Sequence, residues 1–452
     1  MVLRPQPSPS IPSFSTPQLL ACVRKALAAI PDHRQDAKCT ITLVDALMSG
    51  LALFALKFPS LLKFDEQRHE DHIRHNLETL YGVTRAPCDT QLRDILDPVE
   101  PTTLHAAFRA LFDVVQASPA LDRYRFLDQC WLVSIDGTGQ YSSSAICCPD
   151  CASKQSRSGE TLYYHQMVAA AVVHPDRQTV IPLIPEPILR HDGKTKNDCE
   201  LTAVTRLITR LRQDYPKWPI LVVEDALFAK GPHLKLLKEK NIEFIIGVKE
   251  GDHTSLFEAV KAHEENETME GVVQYDKKRD ITHIFRFVNG LELNKSHPDV
   301  KVNFLEYVEL EGNRLCARFT WVTSLEITED NCYEIMRGGR ARWKVENETF
   351  NTLKNQGYRF EHNYGHGREH LATNLALLMM LAFFIDQIQE LAGDLFQRAR
   401  QRFRSRTSLW ERMRALFVGY FIDDWEIFWS AIIRGHQVAR LQPKPAAPND
   451  TT

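Results

Sequence analysis

Five short apolar segments between Trp131 and Lys249 limit the possible folds of this chain more than any other feature. They are WLVSIDG (131–137), YYHQMVAAAVV (163–173), TVIPLIP (179–185), PILVVED (219–225) and IEFIIGVK (242–249). Each is β-branched or continuously apolar and of strand length. The helical patterns CELTAVTRLITRLRQDY and PHLKLLKEK separate the third from the fourth and the fourth from the fifth. Three strands, a helix, a strand, a helix and a strand predict an α/β mixed sheet with helices packed on it. From Gly251 to Ser324 the segments VVQYD, THIFRFVN, KVNFLEYVEL and RLCARFTWVTS alternate well. Turn residues at Asn289-Gly290 and Glu311-Gly312-Asn313 join them, which predicts a β-rich insertion over 251–324.

The flanks read differently. Residues 18–127 carry apolar positions at three- and four-residue spacing, as in LVDALMSGLALFALKF and TTLHAAFRALFDVV, and form a candidate DNA-binding helical domain. The core is expected over 128–250 and 325–385, with a helix over about 331–356, and a basic helical region over 386–435. Residues 1–17 and 436–452 are rich in Pro with Ser, or in Pro and Ala, and read as disordered ends. The most apolar run, Leu371 to Ile385, is too short for a membrane span and is interrupted by Asn374. The N-terminus lacks the apolar core of a secretory signal, so ten cysteines suggest a reducing cytoplasm. A length of 452 residues allows two to four domains, and the net charge of −3 does not itself point to nucleic acid.

Asp136 and Asp225 each end an apolar strand. A carboxylate there costs stability unless it is solvated, paired or metal-bound, although either one also suits the cap of a strand-to-loop turn. The third acid lies in GGRARWKVENETFNTLK, where Arg342, Glu346, Phe350 and Lys354 recur every four residues and drift slowly around one helix face. An exposed Arg342–Glu346 pair would contribute only roughly a few tenths of a kcal/mol and would leave the two aspartates unexplained. Glu348 is the alternative third acid; the four-residue step from Arg342 favours Glu346.

Together these residues resemble the DDE transposases of bacterial insertion sequences, in the group with a Tyr-Arg-Glu-Lys signature. SIDGT carries Asp136 in the place of the first catalytic acid, and VVEDALFAKGPHLKLLKEKNIEFIIGVKEGDH carries Asp225 in that of the second. RARWKVENETFNTLK has the Arg-x-x-x-Glu spacing at Arg342 and Glu346, and the likeness runs from about Gln129 to Ile385. The signature tyrosine falls on Gly339, and Lys354 comes one residue later than usual. The resemblance implies a ribonuclease H-like core and two Mg²⁺ or Mn²⁺ ions, bridged by Asp136 and flanked by Asp225 and Glu346. It also implies that Arg342 and Lys354 contact DNA phosphates, and that the reaction is phosphodiester cleavage and strand transfer at a mobile element's ends. Double-stranded DNA, both ends and target, is then the partner, bound by a dimer or higher assembly in the nucleoid of a prokaryotic cytoplasm. A nuclease of the same fold, or a catalytically silent DNA-binding derivative, is the alternative.

Three features stand outside that pattern. Cys148 and Cys151 in CCPDC have the spacing of a structural zinc knuckle, with Cys147, His165 or Cys199 as further ligands; otherwise they are reduced thiols in a loop. NYGHGREH (363–370) adds His366 and His370 just beyond the third acid's helix, as a DNA-contacting or helix-capping loop. Seven arginines fall between Arg398 and Arg414, with Glu411 the only acid among them. Arg400, Arg402 and Arg404 are therefore candidate phosphate contacts on one basic helix.

Overall fold

The computed structural model describes residues 14–34, 39–127, 130–156, 158–193, 195–437 and 441–444. Strands run at β1 (Arg125–Phe126), β2 (Cys130–Ser143), β3 (Ala152–Gln155), β4 (Thr161–Val173), β5 (Ile181–Pro182) and β6 (Glu186–Ile188). They continue at β7 (Ile220–Glu224), β8 (Glu243–Gly247), β9 (Glu270–Asp276), β10 (Ile281–Glu292), β11 (Lys301–Glu311) and β12 (Arg314–Thr323). Two units share the chain. One takes residues up to Arg123, Gly139–His165 and the chain from Asn351; the other takes Tyr124–Thr138 and Gln166–Phe350.

The second unit is built on one sheet ordered β4-β2-β7-β8-β12-β11-β10-β9, with β5 and β6 on β4. β2, β7 and β8 are parallel neighbours, Trp131 to Ser134 lying opposite Ile220 to Val223. The helices Lys196–Asp214 and Gly231–Glu239 precede β7 and β8. Every residue of β7 is buried, which is why ILVVE is continuously apolar up to its last residue. This order of the first five core positions is the ribonuclease H-like mixed sheet. The β-rich insertion forms strands where the alternation puts them, preceded by the helix Thr254–Glu265. It extends the core sheet, because β12 pairs with β8 through Trp321↔Gly247, Val322↔Ile246 and Thr323↔Ile245.

Three local expectations change. TVIPLIP does not make one strand; only Ile181–Pro182 (β5) is extended within it, and β6 begins just beyond it at Glu186, since Pro182, Pro185 and Pro187 have no N–H for a ladder. Asn289-Gly290 is not a turn but a bulge inside β10, where the register shifts between Val288 and Leu291 and Gly290 takes φ +79°. The helix expected over 331–356 stops at Arg340; Val345–Phe350 is π-helical and Asn351–Asn355 is α-helical.

In the first unit the helix Leu371–Ala392 packs against Leu43–Ala55, His105–Gln116 and Asp394–Arg402. The helices expected as separate N- and C-terminal regions thus share one core. Leu371–Ala392 extends past the apolar run and is long and apolar enough to cross a membrane, yet it is buried along its length, as a core helix is. It carries Asp386, which pairs with the buried Lys57 ammonium and accepts from the Tyr358 hydroxyl at 2.5 Å. The first helix begins at Thr16, inside the expected lead-in, whereas residues 1–13 lie outside the described residues. Gln442–Pro443, in the expected tail, pairs with Tyr420–Phe421; 438–440 and 445–452 are outside the described residues.

The basic run is two helices, Asp394–Arg402 and Arg406–Gly419, broken at 403–405 where Ser405 caps the second. Most of its arginines have partners. Arg398 faces Asp394 at 3.6 Å, and Arg406 binds Glu390 at 2.7 Å and Gln356 at 3.0 Å. Arg400 donates to the Phe403 carbonyl at 2.8 Å, Arg402 to that of Ile433, and Arg414 to that of Lys57. The excess of arginine over nearby acid is thus taken up largely by backbone carbonyls. Arg402 and Arg404 remain exposed.

Candidate active site

Asp136 does not end its strand as expected, since β2 runs on to Ser143. Its parallel pairing with β7 stops at Ser134, however, so Asp136 and Asp225 lie just past the parallel segment. β2 and β7 run in register as far as Ser134 and Val223, and Asp136 and Asp225 each follow two residues later. The two aspartates therefore emerge side by side. Asp225 Oδ1 accepts from the Leu227 amide at 2.8 Å, so it also caps the short turn Ala226–Phe228. Glu224, one residue earlier, turns into the core and meets His233 at 2.8 Å.

The third acid reaches this end through Arg342. Ser134 Oγ donates to the Arg342 carbonyl at 2.8 Å, which ties the segment between the two helices to β2. The Arg342 guanidinium donates to Asp136 Oδ2 at 3.0 Å and to Glu346 Oε1 at 2.7 Å. Glu346, not Glu348, is thus the acid held at Arg342. The pair is not the exposed intrahelical bridge that spacing alone permits: it includes an acid 206 residues away, and the Arg342 side chain is 12% exposed. The π-helical geometry of Val345–Phe350 begins at this point, a distortion common at functional sites.

The electrostatics follow from crowding. Burial, and then the hydrogen bond shared with Glu346, push the Asp136 carboxyl up to about 7 against the pull of Arg342. Partial burial works against Glu346 ionisation, but hydrogen bonds from Asp136 and Arg342 hold its carboxyl below the usual range. Glu200, on the helix Lys196–Asp214, is a further acid that sequence reasoning missed. A Cβ on Gly137 would sit 2.6 Å from Glu200 Oε1, so the glycine after Asp136 makes room for that carboxylate. Burial raises the Glu200 carboxyl; Lys196 opposes the shift and Asp225 adds to it. No local spacing marks Glu200, because only the fold brings its helix over β2.

A cleft of about 430 Å³ is lined by Asp225, Arg342, Lys249, Arg318 and Trp343. Arg342 stacks over the Trp343 ring at 4.7 Å, and Trp343 is 49% exposed. Gly339, where the resemblance would place a tyrosine, has no space for a side chain: its Cβ would lie 2.6 Å from the Trp321 indole.

The other candidates, Cys199 apart, lie in the first unit. Lys354 pairs with Glu361 at 2.8 Å. Cys148 and Cys151 gather with His165 and His366, while Cys147 is exposed and outside that group. Cys199 is on the helix Lys196–Asp214 of the second unit. The ligands expected from Cys147 or Cys199 are thus replaced by a histidine from a distant segment.

No curated protein matches the chain. Residues 132–384, more than half of it, match the family described as Transposase DDE domain, and they include Asp136, Asp225 and Glu346. By the extent of that match, over a ribonuclease H-like sheet, the chain belongs to the DDE-domain transposases.

Proposed function

We propose that this transposase cuts DNA at the ends of a mobile element and joins them to a target, using Mg²⁺ or Mn²⁺ held by Asp136, Asp225 and Glu346. The observation that carries the reading is the convergence of Asp136 and Glu346 on one guanidinium beside Asp225. Burial first, and then the neighbouring Glu346, raise the Asp136 carboxyl despite Arg342, so a further cation beside these acids would be favoured. Such a set of hard oxygens fits a divalent cation of this kind. Two bound ions would activate the entering oxygen and neutralise the leaving one at phosphorus.

The chain's own residues supply the rest. Asp136, with Asp225 and Glu346 near it, would hold the ions through its carboxylate, and Asp225 and Glu346 would supply the remaining acidic ligands. Glu200 adds negative charge behind Asp225. Arg342 holds Asp136 and Glu346 in place, and its planar fork suits a phosphate of the bound strand. Lys249 and Arg318 give the cleft a cationic wall for the backbone. Lys354, Arg402 and Arg404 are further phosphate contacts, on a dimer or higher assembly bound to double-stranded DNA in a prokaryotic nucleoid.

The test uses purified Asp136→Ala, Asp225→Ala and Glu346→Gln proteins on end-containing duplexes with Mg²⁺ or Mn²⁺. Cleavage and strand transfer should fall to background in each, with DNA affinity within about twofold of wild type, since these acids do not face phosphates. A wild-type rate in any variant removes that residue from the site. A wild-type protein that cuts without joining is a nuclease instead.

A further inference from the structure

Two cysteines and two histidines of the first unit meet at a point that DNA chemistry does not use. Cys148 and Cys151 sit in the loop after β2, folded tightly enough for the Cys151 amide to bond the Cys148 carbonyl at 3.2 Å. His165 is on β4, and His366 comes from NYGHGREH, 215 residues beyond Cys151. Cys148 Sγ lies 3.8 Å from Cys151 Sγ, and each sulfur lies 3.4 Å from His165 Nε2. Cys151 Sγ is 3.2 Å from His366 Nε2. All four ligand atoms fall within 4.8 Å of one another, and the four residues are 2–9% exposed.

Those separations are the ones a tetrahedral zinc ion imposes. Bonds of about 2.3 Å to sulfur and about 2.0–2.1 Å to nitrogen put tetrahedral ligands roughly 3.8 Å apart for two sulfurs and 3.6 Å for sulfur and nitrogen. A disulfide is excluded, since its sulfurs would be about 2.05 Å apart. Hydrogen bonding alone accounts poorly for the arrangement, because a thiol is a weak donor and one or two protons cannot serve this many contacts. Hard-oxygen cations do not choose two sulfurs and two imidazoles, whereas zinc does.

We propose that Cys148, Cys151, His165 and His366 bind one structural Zn²⁺ ion, closed by four protein ligands with no position left for substrate. The ion ties a local cysteine knuckle and β4 to the segment that leads into the core helix Leu371–Ala392. The same junction is braced by Asp97, which accepts from the amides of Arg368, Glu369, His370 and Leu371.

The experiment is elemental analysis and thermal melting of the full-length protein, purified without chelator. Wild type should carry about one zinc per chain and keep it in excess Mg²⁺. Strong chelator should remove it and lower the melting temperature by roughly 5–10 °C, with recovery on adding zinc. Cys148→Ser and His366→Ala should lose the metal, while Cys147→Ser keeps it. Should either variant fail to fold, cobalt-loaded wild type provides the check, by the absorption of tetrahedral thiolate-bound cobalt. Wild type free of zinc and indifferent to chelator, or Cys148→Ser with a full equivalent of zinc, overturns the proposal. None of these readouts depends on DNA cleavage, so they stand or fall apart from the transposition reading.

Discussion

Gly339 and Trp321 show how one residue's identity is settled by another far along the chain. The absence of the signature tyrosine was legible in the sequence. Its compensation was not, because Trp321 lies 18 residues earlier on β12 and only the sheet brings it under the helix Cys332–Arg340. Gly339→Tyr should therefore overpack this position and destabilise the protein by about 1–3 kcal/mol, read as a lower denaturant midpoint. Adding Trp321→Ala should return part of that stability, since the ring space is then free. A neutral Gly339→Tyr would mean that the indole swings away at no cost. The meeting of Glu346 with Arg342 was readable because a four-residue step leaves a mark in one dimension, whereas Asp136 lies inside β2 and not at its end. Glu200 left none, and His366 stood out only within a loop without marking its partners, as each is brought to its place by tertiary packing.

At the level of elements, the amphipathic and alternating patterns placed most helices and strands, and the exceptions have identifiable causes. Proline broke IPLIPEPI, a bulge absorbed Asn289-Gly290, and two helices stand where one basic helix was expected. The loop before Leu371–Ala392 is ordered by a feature with no sequence motif. Burial works against a charge on Asp97, but four backbone amides outweigh it and hold the carboxyl below its usual range. A depressed folded-state pKa gives stability that is present above the unfolded value near pH 4 and is lost as pH falls through the folded value. Asp97→Asn should thus cost about 1 kcal/mol at neutral pH, the size of a lost helix cap. It should cost progressively less below pH 4, as urea melts across pH will show; a pH-independent destabilisation would contradict the charge's role. The arginines give a second prediction. Arg402→Gln with Arg404→Gln should weaken binding to specific and random DNA alike and reduce the salt slope by about one unit for each phosphate no longer neutralised. Arg400→Gln, which removes a bond to the Phe403 carbonyl, should lower stability instead. Anisotropy titrations over a salt series decide the matter, and an unchanged slope in the double variant makes this a solvated face.

For the whole chain, the succession of strands and helices pointed to a mixed sheet but not to its order, because β2 pairs with β7 and β8 with β12, strands that are not neighbours in sequence. It did not reveal that the helical flanks share a core. Leu43–Ala55 and Leu371–Ala392 pack together across more than 300 residues, and a periodic pattern states that a face is buried without naming what buries it. That discontinuity has a consequence for synthesis. When the ribosome has added Phe350, every residue of the second unit exists, yet Leu371–Ala392 does not. The apolar faces of Leu43–Ala55 and His105–Gln116 must wait for it, and at about 5–20 residues per second the whole interval from their emergence lasts tens of seconds. Through that time they are clients for a holding chaperone, and a messenger cut short after Phe350 would yield the residues of the second unit together with uncovered helices.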